Sequence, residues 1–151
     1  MKQYIIDGNN LIGKIKELRS LQKKDPQASR EKLAFMLDRY FSCKVQKATL
    51  HLDGFPAEAI RTTYVKIEYS ENKTADENIK FEIEISNNPK LLYVVTSDHN
   101  LMEFARVCSS VVIKSENFVK EINSNSRGDV EENLTKDISD DEMRQLFGVT
   151  E

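Results

Sequence analysis

Three apolar runs in this chain each close on an aspartate: YIID at Asp7, LHLD at Asp53 and YVVTSD at Asp98. Two more acids, Asp76 and Glu77, stand just beyond the TTYVKIEY run, in KTADENIKF. If these runs are parallel strands, their C-terminal ends share one edge of a sheet, and the helix opened by Asp76 and Glu77 starts at the same edge. Carboxylates crowded there repel one another unless positive charge sits among them. Oxygen donors with no matching set of His or Cys select magnesium or manganese over zinc. Such an ion keeps several waters and leaves positions for phosphate oxygens and an attacking water, which is the equipment of phosphodiester hydrolysis.

Each acid also has an ordinary role. Asp7-Gly8 and Asp53-Gly54 are turn dipeptides, Asp76 and Glu77 suit any helix N-terminus, and Asp98 suits a helix cap. Their convergence on one edge is what points to a cation. Asn10, three residues after Asp7 in YIIDGNNLIG, is placed to tie the loop and orient that acid. Asn9 need only fit a tight backbone.

The elements that must position these residues follow from hydrophobic patterning. β-favouring runs occur at KQYIID (2–7), ATLHLD (48–53), TTYVKIEY (62–69), LLYVVTSD (91–98) and SSVVIKS (109–115). Between them, Leu33, Met36, Leu37, Tyr40 and Phe41 make one helical stripe, and Leu101, Phe104, Ala105 and Cys108 make another. KTADENIKFEIEIS is ambiguous, since Ile79, Phe81, Ile83 and Ile85 alternate as in a strand. The capping box of Thr74 with Glu77, and the row Ala75, Ile79, Ile83, decide for a helix. Alternating strands and helices predict an α/β fold: a mostly parallel sheet of about five strands with helices on both faces.

With 151 residues and 39% hydrophobic content the chain suits one ordinary domain. The pattern places that domain at residues 1–123, followed by a polar, acidic tail at 124–151 in which SDDEMRQLF reads as a short capped helix. No stretch approaches the roughly 18 apolar residues of a membrane span, and the first residues lack a signal-peptide block, so a cytoplasmic location is expected. Cys43 and Cys108, without metal-site spacing, read as buried reduced thiols. The net charge of -3 excludes binding of nucleic acid through bulk charge alone. Yet residues 1–66 hold 13 Lys and Arg against 7 Asp and Glu, while the remainder holds 9 against 18. A basic surface for a polyanion fits that asymmetry.

DGNN after the first strand, TADENI opening a mid-chain helix and VVTSDHNLMEFA near the fourth strand resemble, in order and spacing, the NYN domain nucleases of the YacP-like branch of the PIN-like superfamily. The likeness runs over roughly residues 3–122. It implies a PIN-like fold and a metal-dependent endoribonuclease acting on single-stranded or ribosome-presented RNA. By position it implies that Asp7, Asp76 and Asp98 bind Mg²⁺ or Mn²⁺, with Glu77 a further ligand, Asn10 the loop asparagine and Asp53 in support. Ser97 is expected to brace the Asp98 loop through its hydroxyl. Asn9 departs from the family's DGYN, which removes an aromatic contact to substrate.

In-line attack by metal-bound water would leave a 5′-phosphate and a 3′-hydroxyl, and two ions, if used, would lie about 3.5–4 Å apart. Lys14, Lys16, Arg19, Lys23 and Lys24, in GKIKELRSLQKK with the single acid Glu17, are expected to grip RNA phosphates. Arg61 and Lys66 are weaker candidates for the same role. His99 is expected to be exposed at a helix start, and His51 to be structural. Two rivals are a non-catalytic PIN-like module that binds RNA or ribosomes and a small-molecule phosphatase. The latter normally wants a DxD nucleophile pair, whereas Asp7 precedes Gly8 and Asn9.

Overall fold

The structure, a computed structural model, describes residues 1–124; the expected acidic tail and its short helix therefore lie outside the described residues. Five strands form one all-parallel sheet: β1 (Gln3–Asp7), β2 (Lys47–Leu52), β3 (Val65–Tyr69), β4 (Leu92–Val95) and β5 (Val111–Ile113). Their order in space is β3-β2-β1-β4-β5. The helices are α1 (Gly8–Lys14), α2 (Lys16–Lys24), α3 (Pro26–Phe41), α4 (Ala75–Glu84), α5 (His99–Val107) and α6 (residues 115–124). The α/β expectation is met.

Alternation along the strands divides the core into two. Tyr4, Ile6, Leu50, Leu52 and Val95 face one way and pack with Leu11, Ile12, Leu18, Leu33, Leu37, Phe41 and Phe118, so α1, α2, α3 and α6 cover that face. Ile5, Leu92 and Val94 face the other way, against Ile79 and Ile83 of α4 and Leu101 and Ala105 of α5. Each fully buried Leu or Ile contributes about 1.5–3 kcal/mol. KTADENIKFEIEIS is a helix because Ile79 and Ile83 share its buried side, while Phe81 and Ile85 stay exposed. The Thr74 hydroxyl accepts the Glu77 amide, as the capping box requires.

The strands are shorter than the apolar runs that contain them. Residues 62–64 do not join β3, because the Asp38 carboxylate on α3 accepts the backbone amides of Thr63, Tyr64 and Val65 and holds the segment off the ladder. Leu91 closes a single 3₁₀ turn, Pro89–Leu91, instead of starting β4. The basic segment also divides: DGNN does not form a loop but opens α1, and a break at Ile15 precedes α2. Cys43, expected to be buried, is exposed in the turn after α3, and Cys108 caps α5 half-buried.

β1 lies between β2 and β4. The chain leaves β1 over one face, through α1, and leaves β4 over the other, through α5. A crevice opens where neighbouring strands diverge in this way, and Asp7 stands at its mouth.

Candidate active site

Six segments meet at the C-terminal edge of the sheet. They bring Asp7 from β1, Asn9 and Asn10 from α1, Asp53 after β2, Asp76 and Glu77 from α4, Thr96–Asp98 after β4, and Ser115 and Glu116 from α6. Gly8 sets the first approach. A Cβ there would stand 2.7 Å from the His51 carbonyl oxygen and 2.7 Å from Leu52 Cδ2, so only glycine lets α1 start so close to β2. Gly8 therefore serves a close approach and not a turn.

The Asp7 carboxylate closes no capping hydrogen bond on α1. Its Oδ2 instead accepts the Thr96 hydroxyl at 2.9 Å, and Thr96 Oγ1 in turn accepts the Asp98 amide at 3.2 Å. Burial pushes the Asp7 carboxyl above the ordinary aspartate range; the Thr96 hydroxyl and the nearby backbone N–H of Asn10 pull it back, and the charges of Asp53 and Asp76 push it up again. Asp7, Asp53 and Asp76 are thus close enough to repel, which is the condition a divalent cation relieves.

Around this acid the polar side chains are interlocked. Asn10 Oδ1 accepts the Ser97 amide at 3.0 Å and the Ser115 hydroxyl at 2.7 Å. Asn10 therefore ties α1 to the β4 loop and α6, while the orientation of Asp7 comes from Thr96. Ser97 Oγ accepts the Ser115 amide at 2.9 Å and donates to Glu116, which joins the segment after β4 to α6. Asn9 Oδ1 accepts the Asp53 amide at 3.3 Å, and Asp53 Oδ1 accepts the Ala75 amide at 2.7 Å. Asp53 thereby pins the start of the helix that carries Asp76.

Asp76 pairs with Lys80 at 3.2 Å, one helical turn on, and Lys80 also reaches Asn100 of α5 at 3.3 Å. Glu77 is exposed beside it. Asp98 is exposed and caps α5, its Oδ1 accepting the amides of Asn100 and Leu101. The ligand atoms of Asp7, Asp76 and Asp98 do not form a ready-made cluster: among the described residues, the one set of three His, Cys, Asp or Glu ligand atoms lying within 4.8 Å of one another is His51, Glu68 and Glu82. His99 is exposed at the start of α5, and His51 is buried.

Three residues of this edge escaped the sequence pattern: Thr96, Ser115 and Glu116. Glu116 had a signal, because it opens the helix after β5 just as Asp76 opens the one after β3. Hydrogen bonding from Ser97 is the largest cause holding the Glu116 carboxyl below its usual range, and Lys14 and Lys114 add to it. Lys14 therefore stands at the acidic edge. Lys16, Arg19, Lys23 and Lys24 are exposed on α2, with Arg19 donating to the Gly13 carbonyl at 3.2 Å. Lys66 is paired with Glu68 at 2.8 Å on β3.

The sequence model of the YacP-like NYN domain matches residues 4–146. The chain belongs to that family. It is a family of ribonuclease type. Among solved structures the chain is similar to Rae1 (YacP) from Bacillus subtilis, with a TM-score of 0.74 and 21% identity over 97% of this chain and 87% of that one. The W164L mutant of the same protein gives a TM-score of 0.75 and 22% identity, over 92% of this chain and 87% of that one. At such identity the likeness establishes the fold, and it confirms the PIN-like α/β architecture. No curated protein matches the sequence. Among the described residues, no helix is long and apolar enough to cross a membrane.

Proposed function

We propose that this protein is a divalent-metal-dependent endoribonuclease that hydrolyses RNA phosphodiester bonds at the C-terminal edge of its sheet. One observation carries most weight. Asp7, at the topological switch point, is held by Thr96 and raised in pKa by burial and by the charges of Asp53 and Asp76. Burial and like charges at Asp7 are what a cation relieves, even with Lys80 paired to Asp76, and the oxygen donors suit magnesium or manganese.

In this reading Asp7, Asp76 and Asp98 hold the ion, with Glu77 beside them. When bound, a divalent ion supplies positive charge for the scissile phosphate and makes water a stronger nucleophile. The chain's own residues do the rest. Thr96 fixes the Asp7 carboxylate. Asn10, Ser97 and Ser115 lock the β4 loop, so that Asp98 keeps its place. Asp53 fixes the first turn of α4 and with it Asp76. Lys14, at the edge, and Lys16, Arg19, Lys23 and Lys24, along α2, bind phosphates of single-stranded or ribosome-presented RNA.

The engagement of Asp98 as a helix cap favours a second reading, an RNA-binding module without chemistry. Purified protein incubated with end-labelled single-stranded RNA, with and without Mn²⁺, separates the two. Metal-dependent cleavage with 5′-phosphate ends, abolished in Asp7→Asn and Asp98→Asn, supports the nuclease. Retention of RNA with no cleavage, on naked RNA and on translating ribosomes alike, supports the module.

A further inference from the structure

The one compact set of metal-ligating atoms among the described residues includes none of the acids assigned above, although His51 sits opposite Asp7 in the β1–β2 register. β2 and β3 pair with His51 opposite Glu68, and parallel partners present their side chains to the same face. That face is covered by α4, from which Glu82 comes down on His51: Nε2 to Oε1 is 2.9 Å. One ligand atom of each residue lies within 4.8 Å of the other two.

We infer that His51, Glu68 and Glu82 form a second cation site, for a first-row transition-metal dication of the zinc class. The site goes beyond the proposed nuclease chemistry and does not depend on it. Four features carry it. The donor set is one imidazole nitrogen and two carboxylates, and the imidazole favours Zn²⁺ and its neighbours over Mg²⁺ or Ca²⁺. Charge is only partly compensated, since Lys66 pairs with Glu68 on an exposed surface where such pairs are weak, and Glu82 has beside His51 no lysine or arginine paired with it among the described residues. The imidazole is 1% exposed, yet its Nδ1 has no hydrogen-bond partner. Nε2, 2.9 Å from Glu82 Oε1, is the nitrogen an ion would take, and the ring proton would then sit on Nδ1. Finally, Gln3 donates to the second oxygen of Glu82 at 3.2 Å, which orients that carboxylate toward His51 as an outer partner orients a ligand.

Access is provided. Glu68 and Glu82 line an open groove of about 860 Å³ beside β3, together with Thr49, Lys66 and Phe81. Waters or an anionic ligand can complete the coordination from that side. An ion here would join β2, β3 and α4, and α4 is the helix that places Asp76 at the other end.

The test is calorimetric titration of ZnCl₂, and separately MgCl₂, into the full chain after chelator treatment. The variants are Glu68→Gln, Glu82→Gln, His51→Ala and Asp7→Asn. One Zn²⁺ per chain is expected, with Mg²⁺ far weaker at this site. Affinity should fall more than about tenfold in Glu68→Gln and Glu82→Gln and persist in Asp7→Asn. Zinc should also raise the melting temperature of the parent chain more than that of Glu68→Gln. If His51→Ala fails to fold, Glu68→Gln decides, because its side chain is half-exposed on an edge strand. Absence of zinc binding, binding indifferent to Glu68 and Glu82, or binding lost in Asp7→Asn overturns the inference. RNA cleavage is not the readout, so failure of the nuclease proposal leaves this result standing.

Discussion

Thr96 Oγ1 donates to Asp7 Oδ2 at 2.9 Å, from the position just after β4, the strand neighbouring the one that ends in Asp7. The same oxygen accepts the Asp98 amide at 3.2 Å, so one buried hydroxyl connects two of the proposed metal-binding acids. Thr96→Val removes both bonds at nearly constant shape. Activity should fall about 10–100-fold, as for outer partners of metal ligands generally. The loss of stability should be about 1–3 kcal/mol, because two bonds go and their partners are left without one. Cleavage rates beside a denaturant melt check both.

Asp7 makes a pH-dependent contribution whose sign follows from its environment. Burial, with the Asp53 and Asp76 charges adding, raises its pKa above the ordinary 3.8. The protonated form is thus favoured in the folded chain. That stabilisation is full below the unfolded value and is lost as pH rises through the folded one. Asp7→Asn should therefore raise the melting temperature of the metal-free protein at neutral pH, while abolishing cleavage. Because the ion must displace the proton, Mn²⁺ should stabilise the parent chain more at neutral pH than near pH 4, and Asp7→Asn little at either.

Strand polarity is why the acids' common edge was legible. Once the runs are parallel, Asp7, Asp53 and Asp98 must end together, and a capping box such as Thr74 with Glu77 announces where α4 begins. The helical start at DGNN was not legible, because Gly8 serves a backbone approach to His51 that lies 43 residues away in sequence. Thr96 and Ser115 resemble any polar residue near a strand end, and only register shows that they face Asp7 and Asn10. His51 facing Glu68 and Glu82 is likewise a matter of strand register and helix placement, which periodicity does not carry. β3 begins late because Asp38, on a distant helix, satisfies the backbone that a propensity scale assigns to a strand.

Gly8→Ala tests the close start of α1. The added methyl meets a backbone carbonyl at 2.7 Å, which cannot rotate away. The helix must shift from β2, at about 1–3 kcal/mol as for overpacking elsewhere. Because Asn9 and Asn10 move with it, cleavage should decline more than stability alone explains. Activity measured well below the melting temperature separates the two effects.

Lys14 is near enough to Glu116 to favour its ionised form, whereas Lys23 and Lys24 end α2. If these bases bind phosphates, neutralising Lys14 should weaken RNA binding for all sequences and reduce the slope of log affinity against log salt by about 1. Neutralising Lys23 and Lys24 together should reduce it by about 2 if both make contact. Binding to a catalytically silent Asp7→Asn chain at several salt concentrations measures these slopes, and unchanged slopes reject the assignment.

Asn10 offers a paired test, because its Oδ1 alone accepts from both Ser97 and Ser115. Asn10→Ala leaves an amide and a hydroxyl without their acceptor, at about 1–3 kcal/mol. It also frees the β4 loop from α1, so cleavage should fall together with stability. Asn10→Asp keeps the acceptor and both bonds, and therefore most of the stability. It places a further negative charge beside Asp7, however, which should raise that acid's pKa again and move the pH dependence of cleavage upward. Equal losses of stability in the two variants would show that the oxygen does not join α1 to the loop; an unmoved pH profile in Asn10→Asp would show that Asp7 does not feel this position.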